Sequence, residues 1–375
     1  MSVQRITLGD IVYIDSSIVD PTAGQNKHLP HVSAEHIVSI TGQLRGVRTA
    51  AEDGMASGKY LFNSGDVLYS KLRPYLRKAA IPEFSGLCSA DMYPIKTDSS
   101  RLLPAFLRLL LVSNDFTSYA NEASARSRMP KLNREQLFAY AFDLPSVSWQ
   151  QSVEKTITAQ LTAVQDARHA VTNQINELTH LANAIIRETL LRPDTGPRPL
   201  GDVLDEVKQG IGASWADFPV LGATRDGLAP AKEPVGKNPE RYKPVRPGTV
   251  FYNPMRILIG SIAMVDDDDA PGITSPDYVA LRGHEGVVDS RWFYYWLRSR
   301  EGEHCIASLA RGAVRERMLF NRLAEGEIAL PPYPVQVAAS RALAEIRPMK
   351  RRLEAQLRDI DLLPSHLLAQ AFAEI

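Results

Sequence analysis

The sequence predicts an α+β chain with a pseudo-two-fold internal repeat: two tandem globular domains separated by two long helices that form an antiparallel coiled coil. Three observations carry this. Seven segments recur in the same order in both halves, the end of each half has a fixed length, and that end carries heptad spacing without helix breakers.

The repeat begins with ITLGDIVYIDSS, answered after residue 197 by RPLGDVLDEVKQG. SGDVLYSKLRPYLRKAAI is matched by PGTVFYNPMRILIGSIAM, and CSADMYPIK by ITSPDYVALR. The apolar LLPAFLRLLLVS corresponds to SRWFYYWLRSR, and SARSRMPKLNREQLFAYAFDLP to GAVRERMLFNRLAEGEIALPP. From Pro145 and Pro331 onward, each followed five residues later by a glutamine, the offset settles at 186, and it is 186 again where HL in THLANAIIRE faces HL in SHLLAQAFAE. Earlier it drifts between about 183 and 192, so insertions are confined to the globular parts. Short β-rich runs such as DVLYS, TVFYN and DYVAL stand between Gly, Pro, Asn and Asp turns. One apolar helix is expected in each part, near Phe106–Val112 and Trp292–Leu297.

Residues 149 to 191 contain no Gly or Pro, and Ser148 with Gln151 reads as a capping box. Ile157, Val164, Val171, Leu178 and Ile185 recur every seven residues, beside a row of Leu161, Arg168, Ile175 and Ala182. The second half repeats the device with Ile346, Leu353, Ile360 and Leu367, and with Leu343 and Leu357. Lys350 and Pro364 interrupt that second row, and Pro348 and Pro364 are expected to kink or segment the helix. Two such stripes on helices of roughly 60 Å find their economical partners in each other. The expected boundaries are 1–148 and 195–334 for the globular domains, with 149–194 and 335–375 helical.

Composition is that of an ordinary globular chain, 44% hydrophobic and 23% charged. No apolar run reaches a membrane span, and MSVQRITLGD lacks the apolar core of a signal peptide. Cys88 and Cys305 each stand alone, so neither a disulfide framework nor a thiolate metal site is expected, and the cytoplasm is the simple location. Net charge is zero, which weighs against a chain that grips nucleic acid unaided.

A repeated globular domain ending in LP(P)xxxQ and a long helix resembles the Type I restriction–modification specificity subunits. GDVLYSKLRPYLRKA is similar to a segment of their target-recognition domains, RMPKLNREQLFAYAFDLP and RERMLFNRLAEGEIALPP look like the closing segment, and LLPSHLLAQAFAEI looks like the helix end. THLANAIIRETL departs in lacking the proline of the second copy. The resemblance implies a subunit without a catalytic centre or cofactor that reads a bipartite site on double-stranded DNA, one half per domain. It also implies two methyltransferase subunits recruited through the helical regions, and restriction subunits that complete the nuclease. Adenine methylation and ATP-driven translocation would belong to those partners. A stiff helical spacer would then fix the gap between half-sites.

Candidate DNA contacts are the basic clusters. The first domain offers Lys71, Arg73, Arg77 and Lys78 with Tyr69 and Tyr75 interleaved, then Arg126, Arg128, Lys131 and Arg134. The second offers Lys232, Lys237, Arg241, Lys243 and Arg246, then Arg256, and then Arg311, Arg315, Arg317 and Arg322. Arginine suits guanine edges and lysine suits phosphates; the competing reading is a solvated surface. The seam residues Ile157, Val164, Val171, Leu178, Ile346, Leu353 and Ile360 are the candidate partner-binding set. Arg128 and Arg317 share an RM context, which points to one structural role in both copies.

Other motifs fail on chemistry. Asn253-Pro254 lacks the following proline and aromatic of an amino-methyltransferase loop. GMASGK, ending at Lys59, is one residue short of a phosphate loop. His28, His31 and His36 lack a clear fourth ligand and read as loop surface, and Asp266–Asp269 reads as a solvated turn. The alternative function is a specificity module of another methyltransferase or nuclease system with its own activity; third comes a scaffold that binds no DNA.

Overall fold

A computed structural model describes residues 4–15, 17–125, 129–310 and 317–373. The chain falls into two compact units, one of Met1–Val171 with Gln356–Ile375 and the other of Thr172–Ala355.

The first unit is built on a four-stranded antiparallel sheet in the order Val12–Ile14, Met92–Thr97, Val67–Ser70, Ala79–Ala80. Strand periodicity divides its side chains between two cores. Val67, Tyr69, Tyr93 and Ile95 face a large core with the helices α1 (Pro104–Leu111) and α2 (Asn114–Ser124). Leu68, Ala80 and Met92 face a smaller one with Val32, Ile37, Phe62 and Cys88. That second core lies under a five-stranded sheet ordered Ile18–Val19, Lys59–Phe62, Gly86–Cys88, Pro30–Val32, Arg48–Thr49. Helix α3 (Arg134–Phe138) starts at a capping box, where Asn133 and Gln136 exchange backbone-to-side-chain bonds of 2.9 and 2.8 Å. Gln4–Thr7 pairs with Ala141–Leu144 and closes the unit just before α4 (Val147–Leu190).

The second unit repeats this plan. Its four-stranded sheet has the same order: Leu204–Glu206, Val279–Gly283, Thr249–Tyr252, Ile262–Val265. Val250 and Tyr252 face the helix-side core and Phe251 the smaller one. Helices α5 (Ser290–Leu297), α6 (Arg300–Leu309) and α7 (Phe320–Leu323) follow, Gly196–Pro199 pairs with Glu327–Leu330, and α8 (Tyr333–Phe372) ends the chain. Where the first unit has five strands, the second has two antiparallel pairs, the hairpin Leu221–Thr224 with Gly227–Pro230 and the long-range pair Lys243–Val245 with Gly272–Thr274.

Buried polar residues at the 186 offset do the same work twice. Gln150 accepts from the Leu103 N–H at 2.9 Å and donates to the Arg101 and Pro145 carbonyls at 2.8 and 2.9 Å. Gln336 accepts from the Asp289 N–H at 2.9 Å and donates to Val287 and Pro331 at 3.0 and 2.7 Å. Each glutamine is wholly buried and staples the first turn of a long helix to the loop before α1 or α5. Ser113 and Ser299, also buried, cap α2 and α6 through their hydroxyls.

In the first unit Ile157 and Leu161 of α4 share a core with Leu368 of α8, and Phe372 lies 5.7 Å from Phe106. In the second, Ala182 and Ile186 of α4 share a core with Ala339, Leu343 and Ile346 of α8. The start of one helix thus lies with the end of the other, an antiparallel pair.

Three sequence expectations change here. Helix α4 begins earlier than the Ser148–Gln151 box: Ser146 is its cap, its hydroxyl accepting from the Trp149 N–H at 3.4 Å. Pro348 and Pro364 do not segment α8, which runs unbroken from Tyr333 to Phe372. The buried row of α4 also slips, because Ile186 rather than Ile185 is fully enclosed. Eight turns of about 3.6 residues from Ile157 arrive at 186, whereas a strict heptad arrives at 185.

Candidate nucleic-acid interface

The strand Val67–Ser70 runs into a loop with one tight turn, Pro74–Leu76, before Ala79–Ala80. Its counterpart leaves Thr249–Tyr252, turns at Ile257–Ile259 and returns at Ile262–Val265. Register fixes the correspondence. Tyr69 pairs with Tyr93 and Ala79, and Tyr252 with Val279 and Ile262. The Gly65 and Gly248 amides donate to Pro82 and Val265, each at 3.0 Å. Arg73 therefore corresponds to Arg256, and Arg77 to Gly260. Both last positions are left-handed, with φ of 51° and 83°.

The closing segment crosses this loop in both units. Arg73 donates its amide to Pro130 at 2.8 Å, and Leu132 donates to Lys71 at 2.9 Å. In the second unit Met318 donates to Pro254 at 3.1 Å. These bonds equate Leu132 with Met318, so the opposite number of Arg317 is Lys131. The shared RM context had suggested Arg128, which lies with Arg126, Arg311 and Arg315 outside the described residues.

Three of the candidate contacts are engaged inside the fold. Lys71 is buried, donates to the Ala90 carbonyl and sits 5.0 Å over the Tyr93 ring. Burial holds its ammonium below the usual lysine range, and the Lys131 charge adds to the effect. Arg77 donates to the Val112 carbonyl at 2.7 Å and to Ser365 at 3.2 Å; these bonds offset its left-handed backbone. Lys78 donates to the Ala34 carbonyl. In each case a basic residue inside a turn satisfies carbonyls that strand pairing leaves open.

Arg73, Lys131, Lys232, Lys237 and Arg256 are exposed, and no hydrogen bond or ion pair engages their side chains among the described residues. Arg317 is exposed too, paired with Asp277 at 3.1 Å. Beside them both turns expose apolar tips, Tyr75 and Leu76 in one unit and Leu258 and Ile259 in the other.

The seam residues proposed for partner binding are mostly used up by the chain. Ile157, Val171, Ile346 and Ile360 are buried within it, and Val164, Leu178 and Leu353 are half-buried. Hydrophobic rows of this kind fill the chain's own core first.

The remaining motifs resolve as structure. His31 and His36 are buried rather than surface, with ring centroids 5.9 Å apart, while His28 is exposed. His31 Nδ1 lies 2.9 Å from Asp53, and that bond, with Arg48 beyond it, holds the Asp53 carboxyl below its ordinary range. Lys59 folds back onto the Ser57 carbonyl and hydroxyl, both at 2.7 Å. The Asn253 side chain accepts from the Met255 N–H at 2.9 Å, a turn rather than a base pocket. Asp266 and Asp269 do not form a solvated turn. They meet Arg291, Arg347 and Arg351, with 2.6 Å between Arg347 and Asp269 and 3.1 Å between Arg351 and Asp269. Among the described residues no cluster of His, Cys, Asp and Glu could hold a metal ion, and no helix is long and apolar enough to cross a membrane.

No family model matches the chain. Over 156 residues, 42% of its length, it is 34% identical to the Type I restriction enzyme EcoDI specificity subunit of Escherichia coli. Over 201 residues it is 24% identical to the HindI specificity subunit of Haemophilus influenzae. The matched stretches span 34% and 41% of those relatives, so the chain matches less than half the length of either. Among solved structures, it matches a chain of a type I R-M system with a TM-score of 0.69 at 20% identity, covering 99% of this chain and 97% of that one. The S subunit of a type I system from M. genitalium gives 0.52 at 11% identity, over 99% and 96%. The chain is thus similar in sequence, over part of its length, to Type I restriction enzyme specificity subunits, and it shares its fold with a chain of a type I R-M system.

Proposed function

We propose that this chain is the DNA-specificity subunit of a Type I restriction–modification complex, a reader without chemistry of its own. The observation that supports this most is the duplicated plan: one sheet order, one glutamine staple and one basic loop crossing, present in each unit. Two unlike copies of one reader suit a bipartite site whose halves differ in sequence. The division into recognition domains at 1–148 and 195–334, with helical regions at 149–194 and 335–375, belongs to this reading.

Its partners are double-stranded DNA, two methyltransferase subunits and the restriction subunits, in the cytoplasm. Since the buried seam is spoken for, a methyltransferase would meet exposed helix residues such as Leu181, Met349, Leu362 and Leu363. Neutral overall charge means that tight DNA binding draws on the basic surface of those partners.

The test is a genome-wide map of methylated adenines in host cells with and without the gene. One two-part motif should vanish on deletion and return with the intact gene. The chain purified free of partners should transfer no methyl group from S-adenosylmethionine. Methyl transfer by that preparation would establish the enzymatic alternative, and an unchanged methylation map would remove the assignment.

A further inference from the structure

The internal repeat acts as a comparison of two sequences folded alike, and it sorts the basic residues. In the loop after the central strand, Lys71 corresponds to Pro254, Arg77 to Gly260 and Lys78 to Ser261. All three cations engaged by carbonyls are therefore lost between units. Arg73 corresponds to Arg256, and Lys131 to Arg317, and here the charge is kept. The kept positions are the exposed ones, on two segments distant in sequence that cross at the same backbone bonds. Arg134, exposed at the start of α3, corresponds to Phe320 and is not part of the set.

We infer that Arg73 with Lys131, and Arg256 with Arg317, are phosphate anchors that seat each unit on the duplex without reading bases. The inference rests on the DNA-specificity reading above. Its logic is chemical. Two halves that recognise different bases have no reason to share base-reading side chains, but both face the same sugar-phosphate backbone. A charge retained while its surroundings change is therefore matched to the constant part of the ligand. Among the described residues no side-chain partner of Arg73, Lys131 or Arg256 explains the retention. The exposed Arg317–Asp277 pair is one a phosphate readily displaces. Arg73 keeps its side chain despite a left-handed backbone with φ of 50°, where glycine would be easier. Base identity then falls to the segments in which the units differ: the strands Ile18–Val19, Pro30–Val32 and Arg48–Thr49 of the first, and the pair Leu221–Thr224 with Gly227–Pro230 and the following loop with Lys232 and Lys237 of the second.

The test uses the full chain co-expressed with its methyltransferase subunits, read by duplex binding over a salt series and by the methylated motif in cells. R73Q/K131Q and R256Q/R317Q are compared with the charge-keeping R73K and R256K. Each double variant should flatten the dependence of log affinity on log salt by about 1.8, near 0.9 for each phosphate contact. Binding should weaken alike on specific and unrelated duplexes, with the motif unchanged, and the lysine variants should stay near wild type. Relaxed choice at a base in one half-site would overturn the inference and make that residue a base reader. An unchanged salt slope would also overturn it. Loss in the lysine variants equal to that in the glutamine variants would do so too, by showing a structural role. Wild-type complex that distinguishes no duplex from any other would instead remove the DNA-specificity reading itself.

Discussion

The two units share a backbone plan but are fastened to their helices by opposite chemistry. In the first, Leu161 of α4 is buried beside Ile157 and Leu368, and Gln165 of the same helix donates to Gln43 at 2.9 Å. The positions corresponding to Leu161 and Gln165 on α8 are Arg347 and Arg351. These meet Asp269, while Asp266 is held by Arg291, whose counterpart in the first unit is Ala105. The counterpart of Asp266 is Glu83, exposed and without an ion pair among the described residues. An apolar contact and a charge cluster thus occupy one site in the fold. The plan requires that the site be closed and its polar groups partnered, and leaves the means open.

Where the units are alike, they should break alike, and this gives the largest expected effect. Gln150→Leu or Gln336→Leu leaves one N–H and two carbonyls unpartnered in a buried site, a cost of about 3–5 kcal/mol. The two variants should lower the urea midpoint of the full chain by similar amounts, with exchange of the Leu103 or Asp289 amide accelerated. A cost confined to one variant would show that the repeat is geometric but not energetic.

Where the units differ, acid should separate them. Burial alone would raise the Asp266 and Asp269 pKa values, but the bonds to Arg291 and Arg347 outweigh it and leave both below 3.8. With folded values below unfolded ones, the cluster's contribution is complete above about pH 4. It is lost as pH falls further through the folded values. Exchange in α5 and the Arg347 stretch of α8 should therefore rise below pH 4 before exchange in α1 does. Asp266→Asn should cost about 1–3 kcal/mol, because it removes a carboxylate shared by Arg291 and Arg347 while Asp267 still holds Arg291 at 2.7 Å, whereas Glu83→Gln should cost under about 0.5 kcal/mol. Equal acid sensitivity in the two units would remove the charge cluster as the distinction.

The smallest effect sharpens the comparison at the left-handed turn. Gly260→Ala should cost about 1 kcal/mol from backbone strain alone, since the added carbon meets only ordinary contact with Arg225 at 3.7 Å. Arg77→Gly should relieve that strain and still destabilise, because two guanidinium bonds go with it. Thermal midpoints of the two variants decide the matter; a gain in stability for Arg77→Gly would mean that those bonds contribute little.

Much of this architecture was legible in the chain. The LGD motifs, the Pro145 and Pro331 anchors and the heptads located the repeat and both helices, because periodicity and fixed spacing are properties of a line. The role of Gln150 and Gln336 was not legible, although both marked the alignment, since their partners lie in loops some fifty residues upstream. The basic clusters misled for a related reason. Lys71, Arg73, Arg77 and Lys78 form one run in sequence, yet three fold inward onto carbonyls and one points out. His31, His36 and the Asp266–Asp269 run likewise read as surface because their partners are supplied from elsewhere in the fold.

The duplication and the two long helices could be read from the chain alone, because both follow from local propensity and from recurrence at fixed distance. Only the tertiary structure decided which cations remain free to meet a ligand. A charge is committed or free according to the carbonyls and carboxylates that surround it in space. Here those come from strands and helices far along the chain, so no local pattern records them.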